Sequence, residues 1–232
     1  MEDYKLEAAK ASLGFISEGQ KLGLGAGSSI FYLIDIITKN EVLSQSLSFV
    51  SSSFKTRQYL CEKGLKSSSN IENLAIYFDG CDQFDIKLNA FKSGGGIHTS
   101  EKIMASIAKE FILVGDESKF VEKLDHTHPL VVEVLPEALF LVLKKIQANY
   151  PECVATVRMA NQKDGAVITE NGNLLIDIRF QTIPDLAELN IKVKMIPGII
   201  EHSLFYGLAT KAIIAGKQGI RIIKPSYERA KI

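Results

Sequence analysis

The 232-residue chain lacks any excess of charge: 27 Lys and Arg are balanced by 27 Asp and Glu, and no long basic run occurs. Binding along a nucleic-acid backbone needs a concentrated positive footprint, so nucleic acid is not an expected partner. Long apolar runs are also missing, and residues 1–10 alternate acidic and basic groups without an apolar core. The sequence therefore predicts a soluble, unexported, cytoplasmic protein with no membrane association. Cysteines are few. Cys61, Cys81 and Cys153 are scattered without C-x-x-C pairing, which argues for reduced thiols rather than a disulfide framework or a zinc site. An H-x-H pair, His126 and His128, holds a metal only where a third ligand converges on it, and no metal is expected.

What is present is an alternation. Leu6, Ala9, Leu13 and Ile16 fall at helical spacing and predict an opening helix. Residues 21–24 then read as a strand running into Gly25-Ala26-Gly27-Ser28-Ser29, after which Ile30, Leu33, Ile34 and Ile37 restore the helical period. The same grammar recurs at residues 47–50 before three serines, at 74–78 before Asp79-Gly80-Cys81-Asp82, and at 111–114 before Gly115-Asp116-Glu117-Ser118-Lys119. Such alternation predicts an α/β protein with a Rossmann-like, mostly parallel sheet, whose polar loops share the rim at the strands' carboxyl ends. Beyond residue 128 the pattern changes to a helix over 135–147 and strands punctuated by Asp164-Gly165 and Asn171-Gly172, both hairpin signals. We expect a second, smaller α+β domain with antiparallel hairpins over 128–203, and a main domain over 1–127 plus 204–232. Its last stretch, 208–223, is expected to return a helix and a strand.

Gly23, Gly25 and Gly27 invite a dinucleotide-binding reading, which fails because Ser28 stands near the third glycine's place and Ser51 to Ser53 replace the ribose-binding acid. What remains is a turn delivering amides and two hydroxyls to a helix start, a site for a monophosphate or, equally, an ordinary serine cap. Asp79 and Asp82 flank a strand end and suit sugar hydroxyls or proton transfer, although Asp-Gly pairs also form plain turns. Lys92-Ser93-Gly94-Gly95-Gly96 carries three consecutive glycines, a costly arrangement that implies close backbone approach to a guest. Glu101 follows in the first turn of a helix beginning near Thr99. Together these residues suit proton abstraction next to a carbonyl, with Lys92 and backbone amides stabilising an enediolate, and no metal or redox cofactor required. Lys119 adds positive charge on the last loop.

In this order the four loops resemble the type A ribose-5-phosphate isomerases, whose G-T-G-S-T, D-G-A-D-E, K-G-G-G-x-x-x-T-x-E-K and D-x-S-K segments correspond to residues 25–29, 79–83, 92–102 and 116–119. The resemblance implies interconversion of ribose 5-phosphate and ribulose 5-phosphate in the non-oxidative pentose phosphate pathway, with Glu101 as the proton acceptor. It implies that Asp79, Asp82 and Lys92 contact the sugar and that Gly94 and Gly95 amides hold the oxyanion. Ala26, Gly27, Ser28 and Ser29, with Lys5 and Lys119, would bind the phosphate, while Gly80, Cys81 and Ser93 complete the surroundings. It also implies a homodimer or homotetramer. The chain departs from the pattern at Ala26, which lacks a threonine hydroxyl worth about 1 kcal/mol, at Cys81 and Gln83, and at Ser93, which would be strained if its φ were positive. A sugar-phosphate-sensing module on the same fold is the alternative; coenzyme A transferases and amino-sugar-phosphate deaminases share the layout but not the Lys92 to Glu101 arrangement.

Overall fold

The computed structural model describes residues 3–225. Helix α1 (Tyr4–Ser12) starts at Asp3, whose carboxylate accepts the Lys5 and Leu6 amides and so satisfies two of the helix's unpaired donors. Strand β1 (Lys21–Leu24) leads into α2 (Ser28–Thr38), a short α3 (Glu41–Ser46), β2 (Ser48–Ser51), α4 (Phe54–Glu62) and β3 (Ile76–Asp79). Two-residue strands β4 (Gln83–Phe84) and β5 (Ala90–Phe91) precede α5 (His98–Ile107) and β6 (Glu110–Asp116). The second part contains β7 (Leu130–Val134), α6 (Leu139–Asn149), β8 (Val154–Val157), β9 (Leu174–Arg179), α7 (Leu186–Lys194) and β10 (Ile199–His202). Strands β11 (Leu204–Phe205), β12 (Lys211–Gly216) and β13 (Gly219–Ile223) return the chain to the first part.

The main sheet has the order β13-β12-β6-β3-β1-β2 and is parallel except at β13. Because β1, β2, β3 and β6 run the same way, Gly25, Ser51, Asp79 and Asp116 all lie at one rim. Apolar side chains cover both faces: Ile30, Leu33, Ile34 and Ile37 of α2 join one core, and Met104 and Ala105 of α5 join the other. A separate antiparallel sheet, β10-β7-β9-β8, packs with α6 and α7 around a core that includes Val132, Val142, Ile176 and Leu189 and is joined by Phe91, Leu124 and Leu204.

The expected helix within 208–223 is absent; that stretch is the β12-β13 hairpin. Gly219, at φ 91°, supplies the turn. A Cβ on Gly216 would lie 1.9 Å from Glu117 Oε2, so that glycine serves close packing and not helix flexibility. Residues 164–173 form two turns at positive-φ Gly165 and Gly172, tied by the isolated bridges Met159 to Ala166 and Ile168 to Leu174 in place of longer strands. Pro136 opens a single 3-10 turn, so α6 starts at Leu139, later than expected.

Candidate active site

The glycine loop after β1 is shaped by what lies beneath it. A Cβ on Gly25 would sit 1.9 Å from Asp79 Oδ1, so only glycine lets the loop cross the end of β3. In return Asp79 Oδ1 accepts the Ala26 and Gly80 amides at 3.1 and 2.7 Å, and Thr56 Oγ1 of α4 donates to the Gly25 carbonyl at 2.7 Å. Helix α2 begins at Gly27, φ 104°, without any side-chain cap. Neither serine caps the helix, and its first amides face outward beside Ser28 and the Lys5 and Lys119 side chains, an arrangement suited to an anion.

Beside this loop lies a buried charge cluster. Lys92 Nζ is 2.8 Å from Asp79 Oδ2 and 3.2 Å from Glu101 Oε1, and it donates to the Gly80 carbonyl at 2.6 Å. Its three donors are thereby used. The Tyr77 hydroxyl donates to Asp79 Oδ2 from below. Burial pushes the Glu101 carboxyl up to about 8; Lys92 opposes this and Asp79 reinforces it. Burial alone would lower Lys92, but the two carboxylates overcome it and hold the ammonium above its ordinary value. Two carboxylates around one cation leave a site that accepts a proton near neutral pH.

Helix α5 aims Glu101 because it is anchored on both sides. Lys102 Nζ donates to Glu201 Oε1 at 2.8 Å and to the His202 carbonyl at 2.6 Å, both on β10. Thr99 donates to Glu133 on β7, which also accepts from Thr169, Asn171 and Asn173. Burial raises Glu133, yet these four donors, Thr99 first, outweigh it and keep the carboxyl below its ordinary value.

These elements enclose a cavity of about 240 Å³ lined by Lys5, Ala26 to Ser29, Gly80, Cys81, Asp82, Lys92, Gly94, Gly95, Glu101, Asp116 and Lys119. All but two of the predicted site residues line it. Asp79 is fully buried beneath the glycine loop and does not line the cavity; its carboxylate accepts from Lys92, Tyr77 and two amides. Ser93 also lies outside, its amide on Asp82 Oδ2 and its hydroxyl on the Pro129 carbonyl, and its φ is not positive, so no strain attends the substitution. Gln83 points away and accepts the Asp125 amide at 3.0 Å. Burial pushes the Cys81 thiol up to about 12, which leaves it protonated and unreactive.

Sequence reading missed Tyr77, Thr56, Asp116 and Arg158. Asp116 ends β6; burial raises it, but two bonds from Ser118 and the charges of Lys119 and Lys5 prevail and hold it low. Among the described residues no group of three or more His, Cys, Asp or Glu side chains converges as a metal site, and no helix is long and apolar enough to cross a membrane.

A parallel-sheet rim that joins an anion-accepting helix start to a buried, proton-accepting carboxylate defines an α/β enzyme of the acid–base class. The family model of ribose 5-phosphate isomerase A (phosphoriboisomerase A) matches residues 48–219. Ribose-5-phosphate isomerase A of Thermosynechococcus vestitus is 37% identical over 222 residues, 92% of each chain, and that of Pyrococcus abyssi is 34% identical over 97% of this chain and 99% of its own. The solved ribose 5-phosphate isomerase A of Methanocaldococcus jannaschii superposes with a TM-score of 0.86 at 32% identity, covering 95% of this chain and 97% of its own. A D-ribose-5-phosphate isomerase solved in complex with phospho-erythronic acid gives 0.89 at 31% identity, covering 97% and 100%. The chain belongs to the ribose 5-phosphate isomerase A family.

Proposed function

We propose that this enzyme interconverts ribose 5-phosphate and ribulose 5-phosphate by a single-carboxylate proton transfer. The reading rests on one observation: Glu101, with its raised pKa, shares a cavity with the uncapped start of α2. The phosphate sits on the amides of Gly27 to Ser29 between Lys5 and Lys119, which places the open-chain sugar toward Lys92. Glu101 takes the C2 proton of the aldose, the electron pair forms the C1–C2 enediolate, and the same proton is returned to C1. Asp82 holds the Ser93 and Gly94 amides through Oδ2 at 2.6 and 3.1 Å, which leaves its other oxygen to pass the hydroxyl proton from O2 to O1. The Gly95 amide donates to the negative oxygen, and the charge of Lys92, whose three donors are already engaged, stabilises it electrostatically. Asp79 does not touch the sugar; it fixes Lys92. A module that only senses sugar phosphates has no use for a carboxylate tuned to take up protons near neutral pH.

The proposal extends to domain boundaries at 127/128 and 203/204, supported by the antiparallel sheet β10-β7-β9-β8 and by a core drawn mostly from residues between 130 and 199. It also includes a cytoplasmic location, supported by three free thiols, and a homodimer or homotetramer, supported by exposed Phe140 on α6 and Met195 just after α7. The testing experiment is a coupled assay with ribose 5-phosphate, with and without chelator. Ketose formation unaffected by chelator is expected, and no turnover at saturating substrate would overturn the reading.

A further inference from the structure

Arg158 follows β8 in the antiparallel sheet and is mostly buried. Its Nε and Nη2 bind Asp177 Oδ1 of β9 at 3.0 and 2.6 Å. The same guanidinium donates from Nη2 to the Ser93 carbonyl at 2.8 Å and from Nη1 to the Gly94 carbonyl at 3.1 Å. We propose that Arg158 is a positioning residue for the isomerisation: it grips two successive peptides of the triple-glycine segment from behind and so aims the Gly95 amide at the enediolate oxygen. The inference rests on the function proposed above.

No cis bonds occur among the described residues, so the C=O and N–H of each peptide unit point in opposite directions. In the Ser93–Gly94 unit both ends are taken, the carbonyl by Arg158 and the amide by Asp82. In the Gly94–Gly95 unit the carbonyl is held by Arg158, so the Gly95 N–H faces away from it, and no protein acceptor takes it among the described residues. Gly94 and Gly95 line the cavity with Glu101.

A run of glycines resists peptide rotation less than any other sequence. Without the guanidinium, rotation of the Gly94–Gly95 unit would present a carbonyl, the negative end of the dipole, to the developing oxyanion. A planar fork with fixed donors spans both carbonyls, which a lysine ammonium on a flexible stem does not reproduce. Asp177 neutralises the charge of Arg158, so its contribution is orientation rather than long-range attraction. Close packing on the same side agrees: Gly96 has φ 71°, and a Cβ there would lie 2.8 Å from Leu175 Cδ1 of β9.

The test compares Arg158→Met with the parent enzyme in kcat, KM for ribose 5-phosphate, and inhibition by two probes. Phospho-erythronic acid carries a carboxylate where, on this reading, the enediolate charge forms, whereas inorganic phosphate reports only the α2 site. Expected are a 10- to 100-fold lower kcat, KM within threefold, at least tenfold weaker inhibition by phospho-erythronic acid and phosphate inhibition within twofold. A kcat within threefold of the parent, or equal weakening of both inhibitors, would overturn the proposal. If Arg158→Met does not fold by circular dichroism, Arg158→Lys and Asp177→Asn are measured in the same way, and an unchanged ratio of the two inhibition constants rejects it. Glu101→Gln is assayed alongside: if that variant stays active the isomerase mechanism itself fails, whatever Arg158 does.

Discussion

The Glu101 carboxylate lies 3.2 Å from the Lys92 ammonium, which is itself held at 2.8 Å by Asp79. One cation thus serves two carboxylates, all three of them buried. The pair with Asp79 is satisfied by amides and a hydroxyl as well, so Glu101 is the carboxylate left able to exchange its proton.

Replacing that proton acceptor while keeping its shape isolates the chemistry. Glu101→Gln is expected to lower kcat by at least 1,000-fold, of the order associated with removing a general base, while phosphate inhibition stays within twofold. Activity within tenfold of the parent would reject the mechanism.

The raised pKa sets the pH dependence. Glu101 must be ionised to accept a proton, so kcat/KM should fall about tenfold per pH unit below about 8 and level off above it. A flat profile between pH 6 and 9 would contradict the assignment.

Stability should move the other way. The unfolded chain ionises Glu101 near its ordinary 4.5 and the folded protein only near 8, so folding stability is lost as pH rises through that window. Glu101→Gln removes this loss. Its Tm should exceed the parent's by an amount that grows from pH 4.5 to 8, reaching roughly 2–6 °C if about 1–2 kcal/mol is recovered. A variant less stable than the parent at pH 8.5 would show that the carboxylate is not held against its preference.

Ala26 lines the cavity at the end proposed to take the phosphate, where a hydroxyl would meet the nonreacting part of the substrate. Ala26→Thr should lower KM by about fivefold, the worth of one hydrogen bond of ~1 kcal/mol, with kcat within twofold. An unchanged KM would move the phosphate elsewhere.

Gly25→Ala inserts a carbon 1.9 Å from Asp79 Oδ1. Displacing that carboxylate also displaces Lys92, so kcat should drop at least 100-fold and Tm by roughly 3–10 °C, given overpacking costs of about 1–3 kcal/mol. Near-parental activity would mean that the Asp79 geometry is dispensable.

The rim was legible in sequence because each loop is a local event: glycine turn, strand end, helix start. Thus Ala26 to Ser29, Asp82, Lys92 and Glu101 came together as their order implied. Depth was not legible. Asp79 and Asp82 differ by three positions, yet one is sealed under Gly25 and the other faces the cavity, a distinction made by the crossing loop. Thr56 and Arg158 escaped notice because their partners, Gly25 and Gly94, lie 31 and 64 positions away. The β12-β13 hairpin was misread because a run of glycine, alanine and isoleucine carries neither a clear helical nor a clear alternating period.

Glu133 gathers donors from a distant turn, Thr169, Asn171 and Asn173, and from Thr99, two residues before Glu101. The helix that carries Glu101 is therefore held partly by a turn whose residues do not line the cavity. A substitution at Asn171 or Asn173 would be felt as slower turnover, and remoteness along the chain is a poor guide to which positions this enzyme can change without penalty.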